Sequence, residues 1–170
     1  MNAIAYIYTC GNNQKSLGHI YFEQKDKYIK ITIELTGLSW GYHGCHIHTK
    51  GVYDINAHII PDCSKLGGHL KLSGQTHGNI NEKGKHIGDL GNIYANIFGK
   101  VNTTLYANRI KITDILNKFV IIHANKDDLG LGGNEESLKT GNSLKFQRRM
   151  VHSDESITLK INNNIDKNNK

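Results

Sequence analysis

Between Ile29 and Leu35 the chain alternates without a break, Ile29, Ile31, Ile33 and Leu35 against Lys30, Thr32 and Glu34. A period of two puts all four apolar side chains on one face of an extended strand, which predicts a half-buried strand over residues 28–36. Residues 3–8 and 17–24 read the same way, with Gly11-Asn12-Asn13 and Lys25-Asp26-Lys27 as the turns between the three strands. A fourth strand is predicted from about Trp40 to His48, a fifth from Asp89 to Ile93, a sixth over residues 99–106 and a seventh from Phe119 to His123. No heptad, internal repeat or helical periodicity appears, so the architecture is expected to be all-β with no helix. Two connections are long, residues 49–85 and residues 123–142, and connections of that length in a small domain are usually functional or disordered. The polar, low-complexity residues 161–170 are expected to be a disordered tail behind a single domain spanning residues 1–160.

The chemistry is concentrated in the first long connection and the strands flanking it. Seven of the ten histidines fall between His43 and Asp89, six of them in the stretches G-Y-H-G-C-H-I-H, G-G-H-L-K-L-S-G-Q-T-H and K-H-I-G-D-L-G. His46 and His48 are two apart on a strand, so their imidazoles point to the same side as a chelating pair, while Cys45 and Ile47 point to the core. His69, His77 and His86 with Asp89 make three neutral nitrogen donors and one carboxylate, a set that suits tetrahedral zinc. His123 ends the apolar run Phe119 to Ile122, and a strand returning beside His46 and His48 would deliver it to them. His43 is out of phase with that pair and reads as a hydrogen-bonded structural residue. His19, His58 and His152 lie outside any ligand pattern and are expected at the surface.

These stretches, followed by I-H-A-N-K-D-D-L-G-L-G-G-N-E-E-S, resemble the copper/zinc superoxide dismutase family over roughly residues 2–142, in the family's order and spacing. The resemblance implies a Greek-key β-barrel or sandwich of immunoglobulin-like architecture. It implies copper ligands at His46, His48, His69 and His123, zinc ligands at His69, His77, His86 and Asp89, and therefore His69 as a bridge between two metals. The implied activity is disproportionation of superoxide to oxygen and hydrogen peroxide by redox cycling at copper, with His69 taking up and returning a proton and zinc playing a structural part. Asp127 matches the carboxylate that accepts from the spare nitrogens of His46 and His77 and so fixes their tautomers. Glu135, Glu136 and Lys139 sit in the loop that would steer a small anion inward, an effect for which this family is a standing illustration.

Composition narrows the rest. At 170 residues, 38% of them hydrophobic, the chain suits one domain with a sizeable core. A net charge of +6 and a pI near 9.2 would permit an acidic partner, but the lysines are scattered along the sequence, so neither a nucleic acid nor a membrane is expected as a dedicated partner. The N-terminal residues carry no basic leader and no run is long enough to span a bilayer, which points to the cytoplasm, of a host cell if the chain is viral. The richness in Asn, Lys and Ile is what an AT-rich genome produces.

The sequence departs from the family after Asn142, reading Ser143-Leu144-Lys145-Phe146-Gln147-Arg148-Arg149-Met150. The family's active-site arginine is then expected at Arg148 in a shifted register, with Arg149 as the alternative. The cysteine that would pair with Cys63 is missing. Cys10, on the first strand or turn, and Cys45, in the core, are not natural partners for it, so Cys63 is expected as a free thiol. Residues 156–161 are the candidate for a rebuilt last strand, and because that strand helps form the family's dimer contact, a homodimer is possible but not assured. The altered C-terminus also keeps open a second reading, a catalytically weak homologue serving as a metal buffer, carrier or decoy.

Overall fold

The computed structural model describes residues 1–10, 15–49, 66–143 and 157–162, the last six as backbone only. These residues form eight strands: β1 (Asn2–Thr9), β2 (Ser16–Gln24), β3 (Ile29–Leu35), β4 (Gly41–His48), β5 (Asp89–Ala95), β6 (Val101–Ala107), β7 (Phe119–Ile122) and β8 (Ile157–Asn162). Their order across the sheet is β5-β4-β7-β8-β1-β2-β3-β6, every neighbouring pair antiparallel. The two end strands, β5 and β6, come back into contact, so the sheet curls round one core in the Greek-key barrel or sandwich arrangement.

The alternation in β3 has the expected result. Ile29, Ile31 and Ile33 are fully buried, each worth about 1.5–3 kcal/mol relative to exposure. The register sets Ile33 opposite Ile20 and Ile31 opposite Phe22 of β2, so one face of the hairpin packs inward while Lys30, Thr32 and Glu34 face outward. Cys45 and Ile47 are buried in the same core, and burial alone pushes the Cys45 thiol up to about 12.

Three sequence expectations are corrected. Among the described residues there are two short helices, α1 (Ile112–Ile115) and α2 (Glu135–Thr140); runs of four and six residues are too short to show a period of 3.6. What the sequence does carry for α2 is its ends. The Asn134 side chain accepts from the Ser137 N–H at the N-cap, and Gly141 takes the left-handed conformation at the C-terminus. Second, β8 reaches Asn162, because Ile161 and Asn162 pair with Ala5 and Ile4, and so extends into the segment expected as a tail. Third, Cys10 is disulfide-bonded, while Cys45, among the described residues, is free and buried. His19 is at the surface as expected, 3.6 Å from Glu34 on the neighbouring strand. The turn at Gly11 to Asn13, Cys63, His58, Arg148, Arg149 and His152 lie outside the described residues. No helix among the described residues is long and apolar enough to cross a membrane.

Candidate metal centre

β4 is the spine of the site. It pairs on one side with β5, setting His46 opposite Asp89, and on the other with β7, setting His46 opposite Ile121 and His48 opposite Phe119. A register shift between Gly44 and His46 locally changes the pleat there. His123, one residue beyond β7, donates its backbone N–H to the Gly44 carbonyl at 2.8 Å. The long connection is laid against the same strand by ladder-like bonds: Leu70 N–H to the Ile47 carbonyl, Ile47 N–H to Gly88, and a bridge between His48 and His69.

The result is a packed cluster of six imidazoles and a carboxylate, all buried: His46, His48, His69, His77, His86, His123 and Asp89. One nitrogen from each of His46, His48, His69 and His123 lies within 4.8 Å of the others, and a second group of His46, His69, His77 and Asp89 meets the same limit. His86 stands slightly outside this second group, its Nδ1 3.4 Å from Asp89 Oδ2. His69 sits between the two groups. Its ring stacks on His46 with centroids 4.0 Å apart, and its Nδ1 lies 2.8 Å from Asp89 Oδ1.

Three of the rings are oriented by their outer nitrogens. His46 Nε2 and His77 Nε2 both reach Asp127, at 2.7 Å to Oδ2 and Oδ1, and His48 Nδ1 reaches the Gly67 carbonyl at 2.8 Å. Asp127 is itself held: its N–H donates to Asn92 Oδ1, its carbonyl accepts from Asn92 Nδ2, and its Oδ1 also accepts from the Leu129 N–H. His43, as expected, plays a structural part, linking the carbonyls of His123 and Ser39. Gly141 explains why α2 can close over this point, since a Cβ there would stand 1.8 Å from Asp127 Oδ1 and 2.5 Å from His77 Nε2.

With the outer nitrogens engaged, the inner ones are left over. His46 Nδ1, His48 Nε2, His69 Nε2, His77 Nδ1, His86 Nδ1 and His123 Nε2 are buried without a hydrogen-bond partner. Six orphaned nitrogens in one cluster would be costly as they stand, and neutral imidazole nitrogens are what copper and zinc take as ligands. The residues present therefore fit both metals. Burial and neighbouring imidazoles hold His46 and His123 well below the usual histidine range and His48 down to about 3, which keeps these rings neutral and able to bind metal. Burial would also lower His77, but its contacts with Asp127 and Asp89 outweigh it and raise the ring to about 9. Burial works to raise Asp89, yet the three imidazoles around it hold its carboxyl far below the usual range.

Sequence reasoning missed the residues that brace the connection. Arg109 donates through Nη1 to the Glu82 carbonyl and through Nη2 at 2.5 Å to the Lys85 carbonyl. Asn81 Nδ2 donates to the Tyr106 carbonyl while its Oδ1 accepts from the Asn108 N–H, both at 2.7 Å. The turn between His77 and His86 is thereby pinned to the end of β6. No spacing signals such side-chain to backbone bonds, nor the Asn92 pairing with Asp127 35 positions away. Glu135, Glu136 and Lys139 lie on α2, Lys139 paired with Glu135 at 2.6 Å on the exposed face.

The profile of the family described as copper/zinc superoxide dismutase (SODC) matches residues 16–147. The superoxide dismutase [Cu-Zn] of Paramecium bursaria Chlorella virus 1 is 37% identical over 132 residues, 75% of this chain and 67% of that protein. The superoxide dismutase [Cu-Zn] of Podospora anserina is 38% identical over 137 residues, covering 77% and 85%. The extracellular superoxide dismutase [Cu-Zn] of Drosophila melanogaster is 34% identical over 150 residues, covering 84% and 80%. A metal-ready cluster on a Greek-key barrel and a match running through both metal-loop segments lead to one conclusion: the chain belongs to the copper/zinc superoxide dismutase family, an oxidoreductase that disproportionates superoxide with copper and zinc as cofactors.

Proposed function

We propose that copper is held by His46 through Nδ1 and by His48, His69 and His123 through Nε2, and zinc by the Nδ1 atoms of His69, His77 and His86 with the Asp89 carboxylate, so that His69 serves both metals. The observation that carries this division is which nitrogen of the other five rings, and which of His69 on the copper side, is left without a partner, while His69 Nδ1 already lies against Asp89 Oδ1. Copper, when bound, supplies a one-electron couple that can take an electron from one superoxide and give it to the next, while zinc has no redox chemistry.

The chain's own residues do the remainder. Asp127 holds His46 and His77 in one tautomer by accepting at both Nε2 atoms. His69 Nε2 is the atom that takes up a proton and returns it to the second superoxide, while its Nδ1 stays on the Asp89 side. Burial of the ligand rings excludes bulk water from them. Glu135, Glu136 and Lys139 on α2 shape the field at the entrance, and Arg148 supplies the permanent positive charge that docks the anion, two parallel donors suiting it better than a lysine. A homodimer and a cytoplasmic location are parts of the same proposal. Analytical ultracentrifugation tests the first; cell fractionation tests the second, the more so because one relative is named extracellular.

The deciding experiment is metal analysis with a copper absorption spectrum. One copper and one zinc per chain are expected, with a copper spectrum altered in His69→Ala; a single metal, or an unchanged spectrum, refutes the division. Arg148→Ile should slow superoxide consumption by about tenfold or more, a loss of roughly 1.4 kcal/mol at the transition state, with copper content intact. Full activity in Arg148→Ile removes that residue from the site.

A further inference from the structure

Away from the metal cluster the barrel carries a second unusual surface. Trp40, Ile97 and Phe98 are 68%, 73% and 76% exposed, and Tyr42 and Tyr94 are about half exposed. They form one face. Tyr42 stands opposite Tyr94 in the β4–β5 ladder, their ring centroids 5.0 Å apart. Trp40 Nε1 donates to the Tyr94 hydroxyl at 2.8 Å, and the loop before Trp40 is joined to the β5–β6 turn by the Leu38 N–H to Gly99 carbonyl bond. Ile97 and Phe98 form the tip of that turn, and the tip is rigid. The Asn96 side chain accepts from the N–H groups of Phe98 and Lys100, and the Lys100 carbonyl accepts from the Asn96 N–H. A contiguous exposed apolar face of this kind usually marks a binding site.

Its charge says what binds. Residues 36–44 and 90–107 contain no aspartate or glutamate. The cations at this face are Lys126, whose Nζ lies 5.5 Å from the Tyr42 ring centroid, and Lys100, which closes the turn. A second copy docked on the same face would bring lysine towards lysine with no carboxylate from either of these two segments to meet it, so self-association is disfavoured. An anionic partner is favoured. Ile97, aliphatic and protruding beside Phe98, offers no stacking surface to a nucleobase but suits insertion among acyl chains. Tryptophan and tyrosine with polar tips suit the headgroup level. Lysines dispersed in the sequence are brought to this face by folding, which composition could not show.

We propose that this face docks the enzyme onto an anionic lipid bilayer, Ile97 and Phe98 entering the interface and Lys100 and Lys126 meeting the headgroups. Apolar burial and electrostatic attraction add in such binding. Trp40 is the chain's one tryptophan, so emission reports on the face directly. With the metal-loaded protein, vesicles of mixed phosphatidylcholine and phosphatidylserine should shift Trp40 emission to the blue and carry the protein down on sedimentation, while phosphatidylcholine vesicles do so weakly. The double variant Ile97→Ser, Phe98→Ser should partition about tenfold more weakly or worse at unchanged superoxide activity, and Lys100→Gln with Lys126→Gln should remove the preference for phosphatidylserine. Absence of any shift or sedimentation overturns the proposal. So does a blue shift that follows protein concentration without lipid, which would mean a second copy, or one produced by a single-stranded oligonucleotide and not by vesicles.

Discussion

Replacing Asp127 by alanine removes a buried carboxylate that accepts from His46 Nε2, His77 Nε2 and the Leu129 N–H. The largest loss in the metal-free protein comes through His77, raised to about 9 in the folded state largely by Asp127 and Asp89. A raised histidine stabilises fully below its unfolded value near 6.5, and that stabilisation is lost as pH rises through 9; the share of it that Asp127 supplies at pH 7 is on the order of 1–2 kcal/mol. The two other donors left without an acceptor add about 1 kcal/mol or more each. Asp127→Ala should therefore cost the metal-free protein roughly 3–5 kcal/mol at pH 7. The same substitution should cost markedly less above pH 9, where His77 is neutral in both proteins. Urea denaturation of both metal-free proteins at the two pH values measures this directly. Chelator competition should also find metal affinity weaker by about 10–100-fold. A cost below about 1 kcal/mol at pH 7, or one independent of pH, would refute the assignment of Asp127 as the acceptor that holds these two rings.

Acid acts in the opposite sense on His46, His48 and His123. Their folded values are held low, His48 at about 3, so their contribution is present above pH 6.5 and shrinks by up to about 1.4 kcal/mol per histidine per pH unit below it; a metal-free protein equally stable at pH 6.5 and pH 5 would contradict this. Arg109→Ala should quicken zinc release to a chelator several-fold while leaving copper affinity unchanged, because the clamp holds the turn between His77 and His86; equal effects on both metals would show a general loss of fold. Non-reducing peptide mapping should find Cys10 in a disulfide, and Cys45 should resist alkylation until the protein is denatured; a Cys10 thiol labelled in the native protein would count against the first, and ready native labelling of Cys45 against the second.

The parts of this molecule that were legible in the sequence are those in which a period or a motif carries the information. The alternation in Ile29 to Leu35 specifies a strand and its buried face, and the two-residue step from His46 to His48 specifies two rings on one side. The family motifs extend this to residues far apart in the chain. What stays hidden depends on a meeting that no local pattern encodes: Asn92 with Asp127, Arg109 with the carbonyls of Glu82 and Lys85, Cys10 with its disulfide partner. α2 was missed for a different reason, since six residues contain less than two turns and its evidence lies in Asn134 and Gly141 at the ends.

The place of β8 bears on how the molecule is made. Its ladder partners are β1 and β7, so residues 157–162 fill a gap between the first strand and one from much later in the chain. During synthesis β1 leaves the ribosome long before β8, and its second edge stays uncovered until β8 follows. Such non-local pairing closes slowly, and two uncovered strand edges are open meanwhile to pairing with other chains. A nascent or truncated form ending before residue 157 should therefore need chaperone protection that the finished barrel does not.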